Sequence, residues 1–461
     1  MLTQATSGAV RPPRVAALHL GLGAFHRAHQ LWATELANRD AEQRGEPAAA
    51  VGYASFTGRR RDAATALAAQ DGLYHLLIRA ADGDRAELIR ALVAPSDGAD
   101  TTTLRSHAAS PDVGVVTLTI TEAGYRRSGD GGLARDDPDV GQDLETLRAH
   151  GADLRTAPGR LVDLIRTRAD LGVPPLAVVS CDNLLDNGSS LRRVVMELAA
   201  GVDDATAAAV TRTPFAGTMV DRITPHTTAH EREAARELTG YDDAEPVACE
   251  PFTEWLLAGE FPSGRPAWEH GGARFVDDVQ PFEQRKLWLL NGAHSLLAYV
   301  GALRGHETVD QAMADPECAS LMERWWDDAS AHLSLPPAEI VAYRSALTER
   351  FHNPRIRHQL AQIAVDGSQK LPIRIVPVVT AVRADGGAAE AGVTTLGAWL
   401  VHLRGRGPSV RDVVGDRLMS RSSGPLTDAA AQVLEQLGPG LGDDRDLVVD
   451  VAAAARRLEG S

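Results

Sequence analysis

An amine, an amide and an imidazole, Lys286, Asn291 and His294, fall close together inside an otherwise apolar run, residues 282–300 (FEQRKLWLLNGAHSLLAYV). Burying such groups costs free energy unless each is hydrogen-bonded, so a mostly apolar segment should not carry them without a reason. One reason is chemistry at a carbonyl or hydroxyl carbon. Amide donors stabilise the negative charge that builds on oxygen as hydride reaches a ketone, and an amine whose pKa is lowered by burial delivers or removes the proton. The run itself reads as helix, since Pro281 suits a first turn and Gly292 is its one breaker. At about 100° per residue the three polar groups project at roughly 0°, 140° and 80°, on one side. A second reading stays open, in which Lys286 snorkels to the surface while Asn291 and His294 satisfy neighbouring backbone.

The amino-terminal part of the chain offers a place for a redox cofactor. Residues 14–20 (RVAALHL) read as a strand running into Gly21-Leu22-Gly23-Ala24-Phe25-His26-Arg27 and then a helical stretch through Trp32, Leu36 and Ala37. Strand, glycine turn and helix open a βαβ unit, with Gly21, Gly23, Ala24, Phe25 and His26 where a pyrophosphate rests on the positive end of a helix. His26 stands where G-x-G-x-x-G has its third glycine, so by itself the motif is equally a tight turn. Residues 48–56 form a second strand, followed by Thr57-Gly58-Arg59-Arg60-Arg61-Asp62. An acid there would take the NAD ribose and an arginine the NADP phosphate. The arginines read as solvated turn charges, and the choice between NAD and NADP is not legible.

Further along, residues 73–78 and 87–92 suggest a β pair around an Asp82-Gly83 turn. Residues 113–121 (VGVVTLTIT) and 176–180 have the apolar, β-branched character of buried parallel strands. Between them, the Gly- and Asp-rich stretch 126–143 reads as an exposed excursion and 161–169 as a helix. The strand at 176–180 ends abruptly in Ser180-Cys181-Asp182-Asn183. Ligands of open α/β sheets bind beyond the carboxyl ends of strands, which puts Asn183 at a substrate-contact position. An Asx turn, or a cap for a helix beginning near Ser189, is the other reading. Residues 213–225 (TPFAGTMVDRITP) look like a loop with Asp221 and Arg222 as a surface ion pair.

A chain of 461 residues exceeds what one core supports. A domain change is expected near residue 280, after the Gly/Pro break at 262–272. It separates an α/β domain, 1–280, from a mainly α-helical domain, 281–461, with helices at 318–326, 339–350 and 426–437 and an Ala-rich final helix. A cleft between the two is where a site would form. With 47 Lys+Arg against 62 Asp+Glu the formal charge is -15, which argues against nucleic acid or an anionic membrane as partner. Cys181, Cys249 and Cys318 are too few and scattered for disulfides or a thiolate metal site, which implies a reducing compartment. The start MLTQATSGAV lacks a basic segment followed by an apolar core, and no run approaches the ~20 apolar residues of a membrane span, so a cytoplasmic protein is expected. His226 and His230 sit in a polar stretch without H-E-x-x-H and read as surface histidines, so no metal is expected.

Four blocks appear in a fixed order: Gly21-Leu22-Gly23-Ala24-Phe25-His26-Arg27-Ala28-His29-Gln30, Ser180-Cys181-Asp182-Asn183, the TMVDRITP stretch ending at Pro225, and Lys286 with Asn291-Gly292-x-His294-Ser295. Together they resemble the polyol-specific long-chain dehydrogenases, which include mannitol 2-dehydrogenase and fructuronate reductase, also called D-mannonate oxidoreductase. The resemblance covers most of the chain. It implies an NAD(P)-dependent, metal-free oxidoreductase, with an amino-terminal Rossmann-type domain and a helical carboxy-terminal domain, acting as a monomer. It also implies roles: Lys286 as general acid/base, Asn183 and Asn291 polarising the reacting oxygen, His294 binding and orienting substrate, and Asp221 and Glu283 in support.

The substrate turns on residues 362–374 (QIAVDGSQKLPIR). Where mannitol dehydrogenases of the family are expected to carry an arginine, this chain has Gln362, and the segment looks closer to the fructuronate reductases, whose substrate carries a carboxylate. Lys370 and Arg374 are cationic donors suited to that group, or else partly exposed charges around a Pro-broken turn. D-fructuronate and D-mannonate are therefore the expected pair, with D-fructose and D-mannitol as rivals. A dinucleotide-binding regulator without turnover is the reading from another class.

Overall fold

The amino-terminal strands are β1 (Val15–Leu20), β2 (Gly52–Phe56), β3 (Tyr74–Ala80), β4 (Gly83–Ile89), β5 (Leu92–Ser96), β6 (Val115–Leu118), β7 (Ala177–Ser180), β8 (Phe215–Asp221), β9 (Val247–Cys249), β10 (Glu254–Ala258) and β11 (Arg274–Phe275). They belong to a computed structural model that describes residues 1–58 and 60–460. Within the large sheet, β5-β2-β1-β6-β7-β8 are parallel neighbours, the doubly wound Rossmann order with its switch point between β1 and β6. β10 extends it antiparallel to β8, and β11 pairs with β10. Successive residues serve opposite faces: Ala17, Val115 and Ala177 enter one apolar core, Leu18, Val116 and Val178 the other. Burial of both faces is why these strands read as continuous apolar runs.

β3, β4 and β9 form a separate small sheet. The expected hairpin is present in it, but β4 ends at Ile89, and Leu92 opens β5 in the large sheet. Two other stretches depart from expectation. Residues 213–225 are not a surface loop, because they contain β8. Asp221 and Arg222 are 3% and 5% exposed, and Arg222 donates to the carbonyls of Ala28 (2.7 Å) and Glu250 (3.1 Å) rather than forming a surface pair. Pro214, Gly217 and Thr218 hid the strand pattern of Phe215, Met219 and Val220. Residues 126–143 are not a purely exposed excursion either. The helix Pro138–Arg148 begins inside them, capped by Asp137, and Asp143 is fully buried, accepting from the backbone of Arg155 (2.7 Å) and Thr156 (2.9 Å).

The chain divides into two compact units, Met1–Gln280 and Pro281–Ser461. Among the described residues every regular element of the second is a helix, including Pro316–Ser330, Pro337–Phe351, Gly367–Arg374, Leu426–Leu437 and Arg445–Glu459. The apolar run at 282–300 is helical but not one α-helix: α at Gln280–Arg285, π at Lys286–Gly292, α at Ala293–Leu296, then π again at Leu297–Gly301. A π turn bonds i to i+5 and is uncommon without outside support. The support here is a tryptophan pair on Pro316–Ser330, whose indole N–H groups donate to the carbonyls of Trp288 (2.9 Å, from Trp325) and Leu289 (2.8 Å, from Trp326). Gly292 admits them, since a Cβ there would lie 2.6 Å from the Trp325 ring. No helix among the described residues is long and apolar enough to cross a membrane.

Candidate functional site

β1 ends in the glycine turn at the switch point. Gly21 has φ +109°, and a Cβ on it would clash with the carbonyl oxygen of Thr119 just beyond β6, so only glycine fits. Gly23 is different: apart from its chain neighbours, the nearest atom to a Cβ there is the Gly21 carbonyl oxygen at 3.6 Å, which leaves the turn's surface open. Gly23 caps the helix Ala24–Ala28 without a side-chain bond, and first-turn N–H groups such as those of Ala24 and Phe25 have no acceptor within a helix. Open glycine backbone and bare N–H groups at this place fit the pyrophosphate of a dinucleotide.

His26 lies wholly buried behind that surface. It hydrogen-bonds with Gln30 (3.1 Å) and Ser55 (3.0 Å), and its ring stacks on His19 with centroids 3.4 Å apart and planes 4° from parallel. Burial keeps both imidazoles neutral, pulling His19 down to about 3 and His26 well below its ordinary value. The third glycine of the fingerprint serves close helix–strand packing. Here two stacked rings fill that space, so the His26 side chain packs the turn from behind. At the end of β2, Thr57 is buried and Arg60 and Arg61 are exposed, while Arg59 lies outside the described residues.

Asn183 is exposed in the turn that leaves β7, and buried Asp221 closes β8. Both therefore stand at the carboxyl ends of neighbouring parallel strands, the ligand side of such a sheet. The helix after Asn183 is Asn187–Val202, and the Asn187 carboxamide exchanges two hydrogen bonds with the Thr218 backbone (2.9 and 3.1 Å). That exchange ties the turn after β7 to β8.

In the carboxy-terminal unit, Lys286 and Asn291 are half-buried on the π turn and His294 is buried just after it. The wider turn brings Asn291, five residues on, closer to the row of Lys286 than α-helical spacing would, and π turns recur at functional sites. The His294 ring stacks on Phe351 (4.8 Å, 24°) and meets His358 edge-on (4.8 Å, 85°). Burial, with Arg350 and Lys370 nearby, lowers His358 to about 4, so it is neutral. Glu283 is buried on the preceding α-helical turn, beside Arg285, whose guanidinium lies 3.9 Å over the Tyr343 ring.

The helix Gly367–Arg374 packs against this stretch through Gly367, where a Cβ would strike the Tyr299 hydroxyl. Its last residue, Arg374, donates from Nη1 to the Asn291 carbonyl (3.4 Å) and the Ser295 hydroxyl (3.3 Å), both long bonds. Nε of Arg374 finds no acceptor, and no carboxylate among the described residues pairs with this guanidinium. Burial lowers its pKa to about 10. Lys370 donates to the Ile363 carbonyl (3.0 Å), and burial with Arg374 nearby lowers it to about 8. Lys286, Asn291, His294, Lys370 and Arg374 thus lie on packed elements of one unit, while the glycine turn, Asn183 and Asp221 line the carboxyl edge of the sheet in the other. Phe351, His358, Trp325 and Trp326 were missed from sequence, because nothing local to them signals a role.

Among the described residues one cluster has metal-ligand chemistry: His306, Asp315 and Cys318, each with a donor atom within 4.8 Å of the others. Arg304 already neutralises Asp315 (2.6 Å), and burial raises the Cys318 thiol to about 12, so an ion pair satisfies this cluster better than a cation would.

Comparison with known proteins agrees with this architecture. The mannitol dehydrogenase Rossmann domain matches residues 15–270 and the mannitol dehydrogenase C-terminal domain residues 278–458. The chain is 34% identical over 398 residues to D-mannonate oxidoreductase of Escherichia coli, covering 84% of this chain and 80% of that one. It is 37% identical over 367 residues to mannitol 2-dehydrogenase of Cereibacter sphaeroides, covering 78% and 75%. The structure of Pseudomonas fluorescens mannitol 2-dehydrogenase, a ternary complex with NAD and D-mannitol, superposes with a TM-score of 0.79 at 31% identity over 97% of this chain and 92% of that one. Matched along nearly its whole length, the chain belongs to the mannitol dehydrogenase family of oxidoreductases.

Proposed function

We propose that this protein is an NAD-dependent dehydrogenase that interconverts a keto-sugar acid and its sugar acid, D-fructuronate and D-mannonate. The observation that carries the substrate assignment is Arg374, a half-buried guanidinium that has no carboxylate partner among the described residues, set against the π turn that bears Lys286 and Asn291. A substrate carboxylate matches its planar fork and supplies the missing counter-charge. D-mannitol and D-fructose bring no charge and leave that guanidinium as it is.

Gly21, Gly23 and the first-turn backbone at Ala24 and Phe25 would hold the pyrophosphate of NAD, whose nicotinamide would supply the hydride acceptor for the alcohol and the hydride donor for the ketone. Lys286 takes the hydroxyl proton in the oxidation and gives it back in the reduction. Asn183 and Asn291 donate to the reacting oxygen and stabilise the charge that develops there. His294, braced by Phe351 and His358, orients the substrate, and Asp221 and Glu283 support the polar network.

Steady-state kinetics with both substrate pairs test this reading. kcat/KM for D-mannonate should exceed that for D-mannitol, and the reverse order overturns the uronate assignment. A pH expectation follows from Lys370. Its ammonium is present below about pH 8 and lost above it, so the ratio of kcat/KM for D-mannonate to that for D-mannitol should fall as pH rises through about 8. Taking the ratio cancels the titration of Lys286, and a flat ratio removes Lys370 from carboxylate binding.

A further inference from the structure

We infer that Tyr125 and Asp182 form a latch that positions Asn183, making both of them positioning residues for the reaction. The inference rests on the reading of Asn183 as a donor to the reacting oxygen. Asn183 is an exposed side chain on a short turn, and a donor aimed at a developing charge acts only if its direction is held. The residue before it fixes the turn that carries it. One Asp182 oxygen accepts the backbone N–H of Leu184 (3.1 Å), an Asx turn that encloses Asn183. The other accepts the Tyr125 hydroxyl at 2.5 Å. The Asp182 carbonyl accepts from the Asn187 carboxamide (3.2 Å), which is itself bonded to the Thr218 backbone (2.9 Å).

Tyr125 comes from a different strand's exit. It ends the short 3-10 turn Glu122–Tyr125 that follows β6, the neighbour of β7 in the sheet, and it is completely buried. A phenol from one strand end thus grips a carboxylate at the next, and the grip falls on the residue adjoining Asn183. Burial raises the Asp182 carboxyl to about 6, with Glu122 nearby acting in the same direction, and raises the Tyr125 phenol so that it stays a donor. An Asx turn needs no buried charge, since asparagine or serine closes one as well. What the carboxylate adds is a strong acceptor for Tyr125.

Tyr125→Phe removes one hydroxyl and tests the latch. The single-turnover rate of the nicotinamide absorbance change should fall roughly tenfold, the loss of one hydrogen bond to a charged group. The Kd for NAD, followed by fluorescence titration, should stay unchanged. Asn183→Ala is the reference and should lower the rate about 100-fold. In the double variant the Tyr125→Phe loss should vanish, because no carboxamide is left to position. Asp182→Asn keeps the turn acceptor but loses the charge, should reproduce Tyr125→Phe, and carries the same test if that variant does not fold. Losses that multiply in the double variant, or an unchanged rate in the folded single variant, overturn the latch. An unchanged rate in Asn183→Ala overturns instead the reading of Asn183 on which the latch stands.

Discussion

Lys286→Ala is expected to lower kcat by roughly a thousandfold, within the range that a positioned acid/base contributes, while the Kd for NAD stays as it is. The amine sits on a π turn held by two indole N–H groups and Gly292, so truncating its side chain leaves the backbone supports untouched. Alanine is also the residue that a helix tolerates best. What disappears is the proton carrier. In the oxidation the hydroxyl proton then loses its positioned acceptor, and in the reduction the new alkoxide loses its positioned donor. Assay at the reduced-nicotinamide band with D-mannonate, alongside fluorescence titration of NAD, checks both halves. Small primary amines added to the variant should restore part of the rate. Unchanged turnover would take Lys286 out of the mechanism. A chain that binds NAD but turns over no ketose or keto-uronate, with or without the substitution, would be the dinucleotide-binding regulator.

Arg374→Met carries the second large effect. Methionine keeps most of the apolar stem and removes the guanidinium. For a sugar acid this leaves a carboxylate without its partner, and breaking a buried charged pair costs about 3 kcal/mol, or roughly a hundredfold in kcat/KM. For D-mannitol the change should stay within about threefold, because the two hydrogen bonds that Arg374 makes to Asn291 and Ser295 are long and each is worth only about 1 kcal/mol. The variant without ligand should also melt no lower than the parent, since a half-buried cation without a counter-ion is a burden on the folded state. Equal losses on both substrates would make Arg374 a brace for the π turn and remove the carboxylate from the proposal.

Much of the fold that carries the candidate site was legible along the chain because its signals are local. Glycine at 21 and 23 after an apolar strand, the β-branched run before Thr119, and the polar Ser180-Cys181-Asp182-Asn183 after another strand are each decided by neighbours in sequence. The Rossmann-type domain follows from them, and the helical second half from the helical patterns at 318–326, 339–350 and 426–437. Asp221 was misread as half of a surface ion pair because burial of β8 depends on β10 pairing along it, and nothing within residues 213–225 announces that partner. Tyr125 failed to register for a similar reason. It stands at the edge of a Gly- and Asp-rich stretch that looks solvated until the sheet brings Asp182 to it.

The sequence by itself determined which chemistry is available: an amine, an amide and an imidazole on an apolar run, and a glycine turn after the first long strand. The tertiary structure decided how these groups are presented. Lys286 and Asn291 ride a π turn because tryptophans 37 residues away bond its carbonyls. His26 packs instead of leaving room for a glycine, because His19 meets it ring to ring. Among the described residues Arg374 has no carboxylate partner, because the helix that carries it ends against the Asn291 carbonyl. Propensity and spacing act over a few residues. Hydrogen-bond satisfaction and charge balance are settled only when distant segments meet.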